Sequence, residues 1–158
     1  MTSQRAHGSQ RISLGLTDTP TNVKIPLNLA GSQYFRGSGY CLLRLTHIHW
    51  PYTSIITGIL GHLVFAIDGF APNTFMMGDR SIQYTWMCPI QIDTISGIYS
   101  YYSQTANDDV IVDYETISRV PVLNMHVFIL YGEDPFNSPP LGLPVSKGHY
   151  AAVEFVIG

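Results

Sequence analysis

GYCLLRLTHIHW (39–50), PYTS (51–54) and IITGILGHLVFAIDG (55–69) form the longest apolar tract of the chain, and the reading of this tract decides the fold. Successive side chains on a strand point to opposite faces. On that pattern Cys41, Leu43, Leu45, His47 and His49 share one face of a first strand. Ile55, Ile59, Leu63, Phe65 and Ile67 share one face of a second. A helix competes over 54–67, because Ile55, Ile59 and Leu63 are four apart. Gly58, Gly61 and the β-branched run weigh against it. Two strands joined at a proline turn are therefore expected, lying at the centre of one β-sandwich.

Outward from this pair the same period recurs. NVKIPLNLA alternates Val23, Ile25, Leu27 and Leu29 against polar residues, and Pro26 places it at a sheet edge or a break in the ladder. FAPNTFMMGDR (70–80) reads as a loop with at most one helical turn. SIQYTWMCPIQID puts Ile82, Tyr84, Trp86, Cys88, Ile90 and Ile92 on one face, with Pro89 opposite. TISGIYSYYSQ, VIVDYETIS, LNMHVFILYG and HYAAVEFVIG complete the set, the third deeply buried and the last alternating Ala151, Val153, Phe155 and Ile157. Residues 1–21 are polar and predict a flexible N-terminal arm, leaving 22–158 as a single domain. The expected class is all-β, an eight-stranded antiparallel sandwich or barrel without a convincing helix.

The 158 residues suit one domain. Hydrophobic residues make up 46% and charged ones 12%, about half the usual charged share. An isolated copy with so little charge exposes weakly solvated surface, and burial against other copies removes it. The net charge of −3 gives no general attraction to nucleic acid or to anionic membrane. MTSQRAHGSQRISLG lacks the apolar core of a signal peptide, and 54–67 is too short and interrupted to span a bilayer. Cys41 and Cys88 fall in strand-like runs and are expected as buried free thiols, although a disulfide stays open if their strands are neighbours.

Three groups carry candidate chemistry. His47 and His49 have metal-ligand spacing on a strand, and His126 is a candidate third ligand. The pair resembles the His-x-His of cupin metal sites, but Trp50-Pro51-Tyr52 follows where that family has a glutamate. Asp109, Asp113 and Glu115 share strand parity beside Asp108, and such carboxylates can take Ca²⁺ where subunits meet. A solvated strand edge is the simpler account. Trp50, Tyr52, Trp86 or the cluster Tyr99, Tyr101 and Tyr102 would supply the stacking platform of a lectin-like sandwich. No Gly-x-Ser-x-Gly elbow, phosphate loop or dinucleotide fingerprint occurs, so no enzyme is expected.

With its polar arm, eight strands, long loops and charge-poor body, the whole chain resembles, in architecture and size, a single-jelly-roll coat protein of a small icosahedral virus. In that family strands B to I form two four-stranded sheets. Residues 22–30, 40–50, 54–68, 81–93, 95–103, 109–119, 123–132 and 149–157 would fill those places. The resemblance implies a structural protein that self-assembles into a capsid shell with copies of itself or related coat proteins. It also implies residence in the virion, after assembly in the host cytoplasm or nucleus, and an inward arm that contacts the genome. Such arms are usually strongly basic. This one offers only Arg5 and Arg11, with His7 between them.

Overall fold

The computed structural model describes residues 10–16, 22–27, 39–51, 60–91, 98–102, 109–131 and 150–158. They form a β-sandwich in which every strand pairing is antiparallel. The first sheet runs β1 (Gln10–Leu16), β11 (Ala151–Ile157), β3 (Tyr40–Pro51) and β8 (Ile98–Tyr102), with β9 (Val110–Asp113) also pairing β3. The second runs β2 (Asn22–Pro26), β10 (Val122–Tyr131), β4 (Leu60–Ile67) and β7 (Trp86–Gln91). A two-stranded hairpin, β5 (Asn73–Met77) and β6 (Arg80–Tyr84), and one short helix, α1 (Tyr114–Ser118), complete the described elements.

The pairing is nested. β1 meets β11, β2 meets β10, β3 meets β8 and β9, and β4 meets β7, so the first half of the chain pairs backwards with the second. Further pairings of β11 with β3 and β10 with β4 close each sheet. The inner faces alternate as strands buried on one side should. Ala151, Val153, Phe155 and Ile157 face inward from the first sheet, and Leu123, Met125, Val127 and Ile129 from the second. The sheets meet through Trp86 of β7 and Phe155 of β11, whose ring centroids lie 5.4 Å apart. Phe65 sits edge-on to the same indole. Pro26 and Pro89 lie on β2 and β7, the two edge strands of the second sheet, where a missing N–H is tolerated.

Four expectations are corrected. Residues 10–16 were expected within a flexible arm, but they form β1, in continuous register with β11 from Gln10↔Ile157 to Leu16↔Ala151. Ile12 and Leu16 are buried, which is the burial that an arm lacks. Residues 73–84 form a hairpin instead of a loop and the start of a strand. Gly78, at φ +65°, takes the left-handed turn position that glycine favours. Phe75 faces His62 on the outer face of the second sheet, 5.8 Å between ring centroids. Tyr114 does not continue β9, because the chain turns there into α1. Asp113 caps that helix, accepting from Thr116 N at 3.2 Å and Thr116 Oγ1 at 2.9 Å. The described residues thus hold eleven strands where eight were expected.

The fourth correction concerns the faces of β3. Its register with β11 shifts between Phe155, opposite Leu45, and Glu154, opposite His47, so Thr46 is an extra residue in the ladder. A bulge of this kind reverses the parity of everything beyond it. Cys41, Leu43 and Leu45 face inward before the bulge, and Ile48 and Trp50 after it. His47 and His49 are turned outward. Thr46 Oγ1 supports the irregularity, lying 3.0 Å from Glu154 O and 3.1 Å from Glu154 Oε1.

Thr85 is the pivot where the chain leaves the hairpin for β7. It is 1% exposed, and its hydroxyl donates to Phe70 O at 2.8 Å while accepting from Ile67 N at 2.9 Å. Its backbone N–H donates to Phe65 O, and its carbonyl accepts from Asn73 Nδ2. Thr85→Val keeps the shape but leaves two buried backbone groups without a partner. Each such group costs about 1–3 kcal/mol. A lowered urea midpoint is expected. A midpoint unchanged from wild type would show that water replaces the hydroxyl.

Candidate functional site

At one end of the sandwich, the turn from β4 into β5 and the corner from β9 into α1 leave a cleft of about 620 Å³ between them. Ala66, Phe70, Ala71, Pro72 and Ile111 give it apolar walls, and Asp68, Gln83, Asp113 and Thr116 add polar groups. Both walls are fixed in place. The 68–72 turn is held by Asp68 N donating to Asn124 O, by Phe70 N donating to Ile67 O, and by Thr85. The opposite wall is set by the Asp113 cap and by Ile117, which is fully buried beneath α1.

Both carboxylates in the cleft have neighbours. Asp68 Oδ1 lies 3.1 Å from His126 Nε2, and His126 Nδ1 lies 2.7 Å from Asn22 Oδ1. Asp113 Oδ2 is engaged in capping. Burial, and then the negative charge of Asp113, push the Cys41 thiol up. Among the described residues the lining contains neither His nor Cys.

The three carboxylates expected to share one face do not come together. Asp109 is taken by Arg44, whose Nε donates to Oδ1 at 2.8 Å and whose Nη2 donates to Oδ2. The Asp109 side chain is 5% exposed, while Arg44 remains partly in solvent. That hydrogen bonding, with the charge of Asp109, pushes the Arg44 guanidinium up. Asp113 ends β9, and Glu115 lies on the helix instead of the strand. The chain turned at Asp113, and strand parity ended with it.

The histidines are separated too. His47 and His49 lie on the outer face of the first sheet, His47 opposite Glu154 and Tyr102 in register. His126 lies on the outer face of the second, between the inward Met125 and Val127. The sandwich core stands between them, so His126 is no third ligand. Among the described residues no group of three metal-ligating side chains forms. Trp50 and Trp86 are 0% and 3% exposed and belong to the core, which removes them from any exposed stacking platform. Tyr52 lies outside the described residues, and Tyr99, Tyr101 and Tyr102 are placed on β8 by backbone alone. Arg11 stands on β1 with its Nε 3.4 Å from Glu154 Oε1, and Arg5 lies outside the described residues. Cys41 and Cys88 are buried free thiols in different sheets.

Sequence reasoning missed the cleft because its walls come from segments some forty positions apart, near Asp68 and near Asp113. One local signal was present: Asp113 followed by Thr116 is the spacing of a helix cap. No helix among the described residues is long and apolar enough to cross a membrane. Comparison with protein-family models, with curated proteins and with solved structures gives no match.

Proposed function

We propose that the chain is a shell-forming structural protein, a single-jelly-roll coat protein of the kind that builds small icosahedral capsids. The nested pairing carries this reading. In a jelly roll a long antiparallel ribbon pairs first half against second and wraps into two sheets, and the pairings β1–β11, β2–β10, β3–β8 and β4–β7 support that reading. Jelly rolls also serve as lectins and cupins, so fold alone does not choose the function. Burial of Trp50 and Trp86 weakens the lectin reading, and the outward, divided histidines weaken the cupin one. Scarce charge and exposed Tyr40, Met76, Ile111 and Tyr150 favour burial against other copies. The role is structural and not enzymatic, and the virion is its place of residence. Arg11 stands in a ladder beside Glu154, so genome neutralisation falls largely to other groups.

Sedimentation and electron microscopy of the purified protein at neutral pH and moderate salt test this reading. Closed particles, or a ring that builds them, are expected. Because Asp109 and Asp113 already have partners, a chelator should leave the assembly intact. A sharp monomer at high concentration overturns the proposal.

A further inference from the structure

We infer that copies join head to tail, the tip of the β5–β6 hairpin of one copy docking in the cleft between residues 68–72 and the β9–α1 corner of the next. This inference rests on the self-assembly reading and names the contact that performs it.

The tip has apolar surface that its own copy leaves exposed. Met76 is 62% exposed and Met77 40%, whereas Phe75, on the same strand, faces His62. Methionine is unbranched and polarizable, and it suits adaptable contacts. Arg80 faces Met77 across the hairpin ladder and brings a positive charge to the tip, while Asp79 occupies the turn beyond the paired positions. The cleft offers the complement: apolar walls from Phe70, Ala71, Pro72 and Ile111, with the carboxylates of Asp68 and Asp113 on its rim.

Backbone chemistry favours the same match. Leu42 exchanges both of its backbone hydrogen bonds with Gly158, at 2.8 and 2.9 Å. Its partner on the other side, Ile111, is therefore a non-hydrogen-bonded pair, and the Ile111 N–H and C=O point away from β3. Among the described residues no strand pairs with the other edge of β9, and Ile111, 72% exposed, puts an apolar side chain on it at the cleft. The hairpin strands β5 and β6 pair with each other and with no other described strand. Two open edges of this kind join by strand addition.

The contact cannot close within one copy. Pro72 and Gln83, at the root of the hairpin, line the cleft, and the tip lies five residues away, about 16 Å at the rise of a strand. Knob and socket thus sit at opposite ends of one element. That makes the interface heterologous, and repetition generates a ring or an open chain.

The test uses two full-length variants, Ile111→Asp in the cleft and the double change Met76→Asp with Met77→Asp at the tip. These side chains are exposed, so folding is expected to survive. Circular dichroism and melting check this, with Ile111→Ser and Arg80→Glu as milder replacements. Each variant alone should self-associate at least about ten-fold more weakly than wild type. Mixed in equal amounts, they should form a 1:1 heterodimer that grows no further, because one intact tip meets one intact cleft. A mixture that stays monomeric overturns the head-to-tail contact. Variants that assemble like wild type overturn the inference but leave the shell reading standing. A wild-type monomer under the same conditions overturns the shell reading itself.

Discussion

A chain that begins at residue 21 is expected to lose most of its folding stability. The deletion removes β1, and with it Ile12 and Leu16, both buried in the core. Burying one such side chain contributes about 1.5–3 kcal/mol, so the pair accounts for about 3–6 kcal/mol. A domain holds only about 5–15 kcal/mol in total. Loss of the seven-residue ladder also bares the edge of β11, an invitation to aggregation. The contact between Arg11 and Glu154 adds little, because Arg11 is largely in solvent. Urea unfolding compares this chain with one that begins at residue 10 and keeps β1. The shorter chain should be unfolded or aggregated where the longer one is native. Equal midpoints would mean that β1 is dispensable to the sandwich.

Phe155→Ala should produce one of the largest effects of the single substitutions considered. The ring is fully buried, faces Trp86 across the sheets, and lies beside the Thr46 bulge. Truncating a buried phenylalanine leaves a cavity that a close-packed interior fills poorly, at a cost of about 3–5 kcal/mol. Val156, one residue on, faces outward and is only half-buried. Val156→Ala is the control, and it should stay near wild type in thermal unfolding. A loss below about 1 kcal/mol at Phe155 would mean that the two sheets are not joined through this pair.

The strands that carry the core were legible wherever alternation was uninterrupted. Ala151 to Ile157 and Leu123 to Ile129 keep a period of two over their whole length, and the structure buries those faces. β1 has the same period in Ile12, Leu14 and Leu16. Its polar neighbours on both sides masked it, and its burial depends on β11 at the distant end of the chain. The hairpin had a local signal in Gly78-Asp79, a two-residue turn pair. The bulge had none: Thr46 looks like any strand threonine, and only the register with Glu154 turns His47 and His49 outward. The acidic group failed for a similar reason. Parity along 109–115 holds only while the strand lasts, and Arg44, which claims Asp109, comes 65 residues earlier.

The nested pairing has a consequence for how the protein is made. On the ribosome β1 emerges well before its partner β11, and every other described strand is made between them. At about 5–20 residues per second, β1 waits on the order of 10 s for that partner. Neither sheet can be completed as the chain appears, because β10 and β11 form the middle of each. The sandwich can therefore close only after β11 has emerged, and slowly for the size of the domain, as pairings between distant segments require. During the wait the apolar faces of β3 and β4 stand open. Yield in cells should then respond to chaperone supply and to lowered growth temperature more than to changes in the finished fold.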